Sequence, residues 1–167
     1  MAHIRLIVFL LFASASCARG QTASTLPSQV TVTFYSSGSS WRSGWPGKLG
    51  PFLGRLFDGE HQLAFIDRGR FVTFSLLPGV HVFAADWWTS HHPGGAHLTV
   101  ELEPDEHYFI RLAVQSGSFG SVAQHIQQVT CEGAQQDNTA TKPLDRKHIK
   151  PDGLSSFVNA ASFPLCE

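Results

Sequence analysis

"RLFDGEHQLAFIDRGRFVTFSLLPGVHVFAA", residues 55–85, decides the fold class of this chain. It contains short apolar or alternating runs that are separated by Asp-Gly, Gly-containing and Leu-Pro-Gly turns. Runs of roughly four to eight residues bounded by such turns are typical of β-strands. Gly59 and Gly79 supply the positive φ angles that tight turns require, and Pro78 presets φ in its turn. The segment therefore predicts four consecutive short strands.

The same pattern continues on both sides of this segment. "VTVTFY" (30–35), "HLTVEL" (97–102) and "HYFIRLAV" (107–114) alternate apolar and polar residues, as half-buried strands do. Pro104-Asp105 predicts a turn that joins the last two strands into a hairpin. Seven or eight short strands without helical periodicity predict an all-β fold. The expected architecture is a single antiparallel β-sandwich, transthyretin-like or immunoglobulin-like, with an extended C-terminal tail.

The N-terminus has the anatomy of a secretory signal peptide. A weakly positive start precedes the apolar run "LIVFLLFA", residues 6–13, which is too short to span a bilayer. Cleavage after an Ala-x-Ala site would release a chain that begins at Ser16. Alternatively, Cys17 follows a lipobox-like sequence and would become a lipidated first residue. The predicted organisation is a signal peptide (1–16), a linker (17–29), a β-sandwich domain (30–131) and a polar C-terminal extension (132–167).

Composition and cysteine content narrow the class of protein further. The chain has 12 Lys and Arg against 13 Asp and Glu, so it has no basic surface for nucleic acid. Cys131 and Cys166 are the two cysteines outside the N-terminal segment. In an exported protein such a pair predicts a disulfide. The alternative is a pair of unrelated buried thiols.

A second stretch, "DWWTSHHPGGAH" (86–97), is compatible with a metal site, a sugar-binding platform or the tip of a β-hairpin. His91 and His92 are adjacent, so their side chains diverge in an extended chain and do not favour a shared zinc ion. If 97–102 and 107–114 form a hairpin, His97, Glu101 and His107 share its polar face. We interpret that face as solvated surface and assign no metal site. The candidate binding surface is four loop tryptophans, namely Trp41, Trp45, Trp87 and Trp88.

The central segment resembles a family of exported bacterial proteins, often lipoproteins, that is classed as domain of unknown function 2846. The resemblance covers roughly residues 30–130 and follows the pattern of an Asp-Gly turn, a strand, "G.[FY]....L.PG.H.F" and an apolar strand that leads into "Y[FY].R". The matching residues are Asp58, Gly59, Gly69, Phe71, Leu77, Pro78, Gly79, His81, Phe83, Tyr108, Phe109 and Arg111. The resemblance implies a β-sandwich fold and an envelope location, and it supplies no catalytic residues.

These observations predict a non-catalytic exported envelope domain that binds or scaffolds an unknown envelope protein or glycan. The sequence has no G-x-S-x-G, H-E-x-x-H or P-loop motif, and we assign it no catalytic residue and no cofactor. The expected location is periplasmic or attached to the outer membrane of a Gram-negative bacterium, with membrane contact only through a lipid at Cys17. Two alternatives are a carbohydrate-binding accessory module that uses the four tryptophans, and a metal-binding or hydrolytic protein.

Overall fold

The computed structural model describes residues 28–36, 52–86, 95–116, 122–138 and 141–166. Within these residues the chain is mostly β-structure, which confirms the predicted all-β class. The helices are α1 (Cys131–Asp137) and α2 (Pro151–Leu154), and a 3₁₀ turn spans Arg146–His148. The strands are β1 (Val30–Tyr35), β2 (Phe52–Asp58), β3 (His61–Asp67), β4 (Arg70–Leu76), β5 (Gly79–Asp86), β6 (Ala96–Leu102), β7 (His107–Ser116), β8 (Val122–Val129), β9 (Lys142–Pro143) and β10 (Phe157–Val158).

The described strands form two sheets. The six-stranded sheet has the order β10-β4-β1-β7-β8, and β9 also pairs with β4. The four-stranded sheet has the order β3-β2-β5-β6. β1 lies antiparallel to β4 but parallel to β7, so this sheet is mixed, and the prediction of a purely antiparallel fold is wrong on this point. The four strands predicted within residues 55–85 are present as β2, β3, β4 and β5.

Several short connections in the described part of the chain pass from one sheet to the other. Arg68-Gly69 links β3 to β4, Leu77-Pro78 links β4 to β5, and residues 103–106 link β6 to β7. The predicted hairpin of β6 with β7 is therefore wrong, because β6 pairs with β5 whereas β7 pairs with β1 and β8. Turn residues reverse the chain direction locally, but they do not determine which sheet the next strand joins.

One core is built from side chains of both sheets. Phe34 of β1 is fully buried, and its ring centroid lies 4.9 Å from that of Phe83 on β5, in edge-to-face contact. Phe74 of β4 lies on the other side of Phe34, at 6.1 Å. Other members of this cluster are Val30, Val32, Leu56, Leu63, Ile66, Val72, Val100, Leu102, Ile110 and Leu112. Burial of this apolar surface is the main favourable contribution to folding.

Strands β1 and β4 of the six-stranded sheet are buried on both faces. Val32 and Phe34 of β1 face the four-stranded sheet, whereas the neighbouring Thr33 and Tyr35 are buried on the opposite face. A second cluster on that opposite face contains Tyr35, Phe71, Phe109 and Ala134, with Phe163 packed against it. This outer face is covered by α1 and by the C-terminal residues.

The β8 strand and the α1 helix were not predicted. β8 contains "QHIQQ", whose glutamines obscure the apolar alternation, and it pairs along its length with β7. α1 begins after Thr130, whose side chain accepts a hydrogen bond from the backbone N–H of Gly133. A threonine N-cap followed by an acidic first turn is a recognised helix start. This seven-residue helix is too short to show a full apolar stripe.

The polar C-terminal extension, which was predicted as extended chain, packs on both sheets. β9 and β10 pair with β4, and Leu144 and Ile149 enter the core cluster. α2 lies against β3 at Gly153, where an added Cβ would overlap the backbone of Leu63. Leu144 and Ile149, which are both buried, thus dock this extension on the sheets, whereas its Leu154, Val158 and Leu165 are exposed.

Candidate functional site

The four predicted binding tryptophans lie outside the described residues, as do Cys17 and the adjacent His91 and His92. Their flanking strands are nevertheless informative. The first tryptophan pair lies between the end of β1 and the start of β2, and the second lies between the end of β5 and the start of β6. Because β2 runs antiparallel to β5, and β4 antiparallel to β1, these attachment points are at the same end of the two sheets.

Cys131 and Cys166 form a disulfide, as predicted, with their Cα atoms 5.7 Å apart. Cys131 is the first residue of α1, and Cys166 is the last described residue of the chain. The disulfide therefore joins the C-terminus to the helix that covers the outer face of the six-stranded sheet. Disulfides of this kind form and persist in oxidising compartments.

Phe163 fills an aromatic pocket on this outer face. Its ring centroid lies 5.4 Å from Tyr35, 5.4 Å from Phe71 and 5.8 Å from Phe109. The first two contacts are edge-to-face, an arrangement that the charge distribution of aromatic rings favours. The pocket is formed by three different strands, so only the assembled sheet can provide it.

A polar network anchors the C-terminal end of α1 beside this pocket. Asp137 accepts hydrogen bonds from the Tyr35 hydroxyl at 3.1 Å and from Nη1 of Arg111 at 2.7 Å. Burial and the neighbouring Asp137 carboxylate raise the pKa of the Tyr35 hydroxyl far above its ordinary value. Tyr35 therefore remains a protonated hydrogen-bond donor throughout the physiological pH range.

A second polar chain lies farther along the same face. The buried Thr33 hydroxyl lies 2.9 Å from the hydroxyl of Thr73 and 2.9 Å from Nε2 of His107. The His107 ring stacks on Phe109, with centroids 4.3 Å apart. These bonds satisfy polar groups that would otherwise be buried without partners.

A groove of about 840 Å³ opens at the end of the outer face where β1 and β7 begin. One wall contains the acidic residues Asp105 and Glu106, and Glu132 of α1 adds a third carboxylate. The opposite wall is residues 162–166, next to the disulfide. Phe109 and His107 contribute to the lining, and no lining residue in the described ranges is Lys or Arg. The groove is thus anionic with an apolar wall.

Four of the residues that carry the family resemblance, Asp58, Leu77, His81 and Phe83, form a separate cluster with a structural role. His81 Nδ1 lies 2.7 Å from Oδ2 of Asp58, and its Nε2 lies 3.0 Å from the carbonyl oxygen of Leu77. A carboxylate and a carbonyl only accept hydrogen bonds, so both bonds form together when both ring nitrogens carry protons. The ring also stacks on Phe83. His81 thereby ties the β2–β3 turn to the connection between β4 and β5.

A partly buried contact between a histidine and a carboxylate anchors the 3₁₀ turn to β3. Nδ1 of His148 lies 3.1 Å from Oδ2 of Asp67, and both side chains are mostly buried. Burial raises the pKa of the Asp67 carboxyl, and the positive charge of His148 opposes that shift. This pair fixes residues 146–148 independently of the disulfide.

The polar cluster predicted from His97, Glu101 and His107 does not assemble. His97 and Glu101 lie on the four-stranded sheet, whereas His107 bonds to Thr33 on the six-stranded sheet. No group of three or more His, Cys, Asp or Glu side chains in the described ranges could hold a metal ion. The prediction depended on the β6–β7 hairpin, which the sheet pairing contradicts.

Sequence patterns did not identify the groove. Its acidic wall lies in the β6–β7 connection, its apolar wall lies in the C-terminal extension, and the two are far apart in sequence. The one available signal was the cysteine pair, because it placed the C-terminus beside residue 131.

Comparison with protein families, with curated proteins and with solved structures finds no match for this chain. The resemblance to the exported family described above therefore stays a prediction. None of the helices in the described part of the chain has the length and apolar character that a membrane span requires.

Proposed function

We propose that this protein is a non-catalytic, exported binding module of the bacterial cell envelope, built as a single β-sandwich of transthyretin-like or immunoglobulin-like architecture. The shared core of the two sheets and the connections that pass between them support the sandwich. The resemblance to domain of unknown function 2846 and the disulfide support export.

The observation that carries the proposal of binding is the groove beside the disulfide. Its volume of about 840 Å³ falls within the range of ligand sites, roughly 300–1,000 Å³. Three carboxylates without a lining cation favour a positively charged partner, and the apolar wall favours a partner with apolar side chains. The proposed occupant is an extended segment of another envelope protein that carries Lys or Arg beside apolar residues.

The non-catalytic assignment is supported by the roles of the polar side chains. His81 bonds to Asp58 and to a backbone carbonyl, and His148 pairs with Asp67. Each bond joins separate elements of the fold. We therefore assign these groups to structure rather than to proton transfer.

A basic peptide tests the groove directly. We expect an alternating Lys-Leu hexapeptide to bind in isothermal titration calorimetry, and to bind more weakly as salt screens the carboxylates. Glu106→Gln combined with Glu132→Gln should weaken binding about two- to thirtyfold, because each exposed ion pair contributes roughly 0.2–1 kcal/mol. The matched control is Glu101→Gln, since Glu101 is exposed on β6 outside the groove.

The outcome of this titration is decisive in either direction. Equal binding of an alternating Glu-Leu hexapeptide would contradict charge complementarity. Absence of binding by both peptides would contradict the groove as the binding site.

A separate measurement, of intact mass, tests export and attachment to the membrane. The intact mass of the protein from native membrane and soluble fractions distinguishes a chain that begins at Ser16 from one that is lipidated at Cys17. A mature chain that retains residues 1–15 in both fractions would contradict export.

The alternative of carbohydrate binding is favoured by one observation, which is that both tryptophan-bearing segments attach at the same end of the sheets. All four tryptophans of the chain belong to these two segments. Intrinsic tryptophan fluorescence should therefore change when envelope oligosaccharides are titrated into the protein. A constant spectrum at saturating glycan would remove this alternative.

A further inference from the structure

The last described residues of the chain are held by two attachments. Residues 159–166, "NAASFPLC", follow β10, and we call this segment the C-terminal latch. Within the described residues, the one backbone hydrogen bond of the latch is local, from Ala160 N–H to the Val158 carbonyl. Its contacts with the rest of the fold are centred on the Phe163 ring in its aromatic pocket, with Ala160 packed against the same cluster, and on the Cys131–Cys166 disulfide.

The latch covers an aromatic surface and also forms part of the groove. Tyr35 and Phe71 are at most 1% exposed, and Phe109 is 3% exposed, with the Phe163 ring packed against all three. Residues 162–166 form the apolar wall of the groove. Displacement of the latch would therefore remove this wall and uncover part of the outer face.

We propose that the Cys131–Cys166 disulfide is a redox switch that holds the C-terminal latch in place beside the groove. Reduction of this disulfide by a dithiol releases the latch while the two sheets stay folded. As a statement about regulation, this inference rests on the proposed binding function. Both cysteines are partly exposed, so a reductant can reach the bridge.

The reaction is a thiol–disulfide exchange. A thiolate of the reductant attacks one sulfur of the bridge, the S–S bond breaks, and the other cysteine leaves as a thiolate that takes up a proton. The second thiol of the reductant then attacks the mixed disulfide and releases the first cysteine. Two electrons pass to this chain, which gains two thiols, and the reductant ends as a disulfide.

The latch is expected to open on reduction because its remaining, non-covalent contacts are too few to hold it. Without the covalent link, docking of the latch must order eight residues for the partial burial of one phenylalanine ring and one alanine. The conformational entropy of that ordering exceeds what these two side chains supply. The rest of the C-terminal extension keeps separate anchors, including Leu144 and Ile149 in the core and the pair of His148 with Asp67.

Fluorine NMR on the full-length protein tests this inference. 4-Fluorophenylalanine is placed at Phe163 in one sample and at Phe34 in a matched sample, because Phe34 lies in the core between the sheets. On reduction with dithiothreitol, verified by the mass of two added hydrogens, the signal at 163 should move to the position of an exposed ring and sharpen. The signal at 34 should stay unchanged. The Cys131→Ser, Cys166→Ser double variant should reproduce the reduced spectrum without reductant.

Two other results would overturn this inference about the latch. An unchanged signal at 163 in fully reduced protein would show that the ring holds the segment alone. A shift of both signals would show that reduction opens the whole fold.

Titration of the same Lys-Leu hexapeptide into oxidised and reduced protein tests whether the latch controls binding. We expect its affinity to fall about tenfold or more on reduction, a change of about 1.4 kcal/mol or more. Unchanged affinity, with the signal at 163 displaced, would overturn the regulatory role. Failure of the peptide to bind in either state would count against the proposed function, whereas the fluorine spectra would still decide whether the latch opens.

Discussion

Replacement of Gly54 by alanine is expected to destabilise the protein by about 2–6 kcal/mol, as the sum of backbone strain and forced overlap. Gly54 lies in β2 with φ of 152°, which alanine rarely adopts. A Cβ at this position would also overlap the backbone oxygen of Asp86, on the neighbouring strand β5. Because that oxygen belongs to the sheet, relief of the overlap requires β2 and β5 to separate.

The matched control for this substitution is Gly79→Ala. Gly79 has a similar φ of 134°, but an added Cβ there meets no atom within 4 Å. The difference in stability loss between the two variants therefore measures the cost of the steric overlap, separately from the cost of the backbone strain. The measurement is the free energy of unfolding in urea, followed by circular dichroism. Equal losses for the two variants would contradict the role of close strand approach at Gly54.

Replacement of Phe34 by alanine is expected to cost about 3–5 kcal/mol, which is typical for removal of a fully buried aromatic side chain. Phe34 is fully buried and contacts Phe74 within its own sheet and Phe83 of the other sheet. The cavity would therefore lie between the two sheets. If the sheets form one sandwich, they should lose stability together.

Hydrogen exchange that resolves each sheet, together with urea unfolding, measures this effect. Amides of β7 and of β5 should lose the same amount of protection in the Phe34→Ala variant. Phe157→Ala provides the control, since Phe157 also contacts Phe74, at 6.5 Å, but is only partly buried and packs against the core cluster from the edge strand β10. Loss of protection confined to the six-stranded sheet would show that the sheets unfold separately.

Strand positions were predictable because their signals are local. Alternation in "VTVTFY" reflects the pleat itself, and Gly59 indeed has a positive φ of 55° in the β2–β3 turn. The disulfide was predictable from the number of cysteines together with the signal-peptide-like sequence of the N-terminus. Each of these inferences needs only neighbouring residues or composition.

The assignment of strands to sheets was not predictable from alternation. β6 and β7 each have a regular apolar face, and this face is the same whether the strand continues a hairpin or crosses to the other sheet. The same ambiguity placed His107 beside Glu101 in the prediction, although His107 bonds to Thr33 in the structure. Partner choice depends on the packing of the complete core, which involves residues that are distant in sequence.

The sequence by itself therefore determined the β-class, the positions of β1 to β7, the turn glycines and the cysteine pair. Tertiary structure alone decided that β1 and β4 are buried on both faces, because Phe163 and α1 reach the outer face only after β1, β4 and β7 have assembled. It likewise decided the groove, whose carboxylates come from the β6–β7 connection and from α1, and whose apolar wall is the C-terminal segment that the disulfide attaches to α1. Local pattern specifies the conformation of a segment, whereas a pocket requires several segments to be positioned at once by long-range packing and covalent closure.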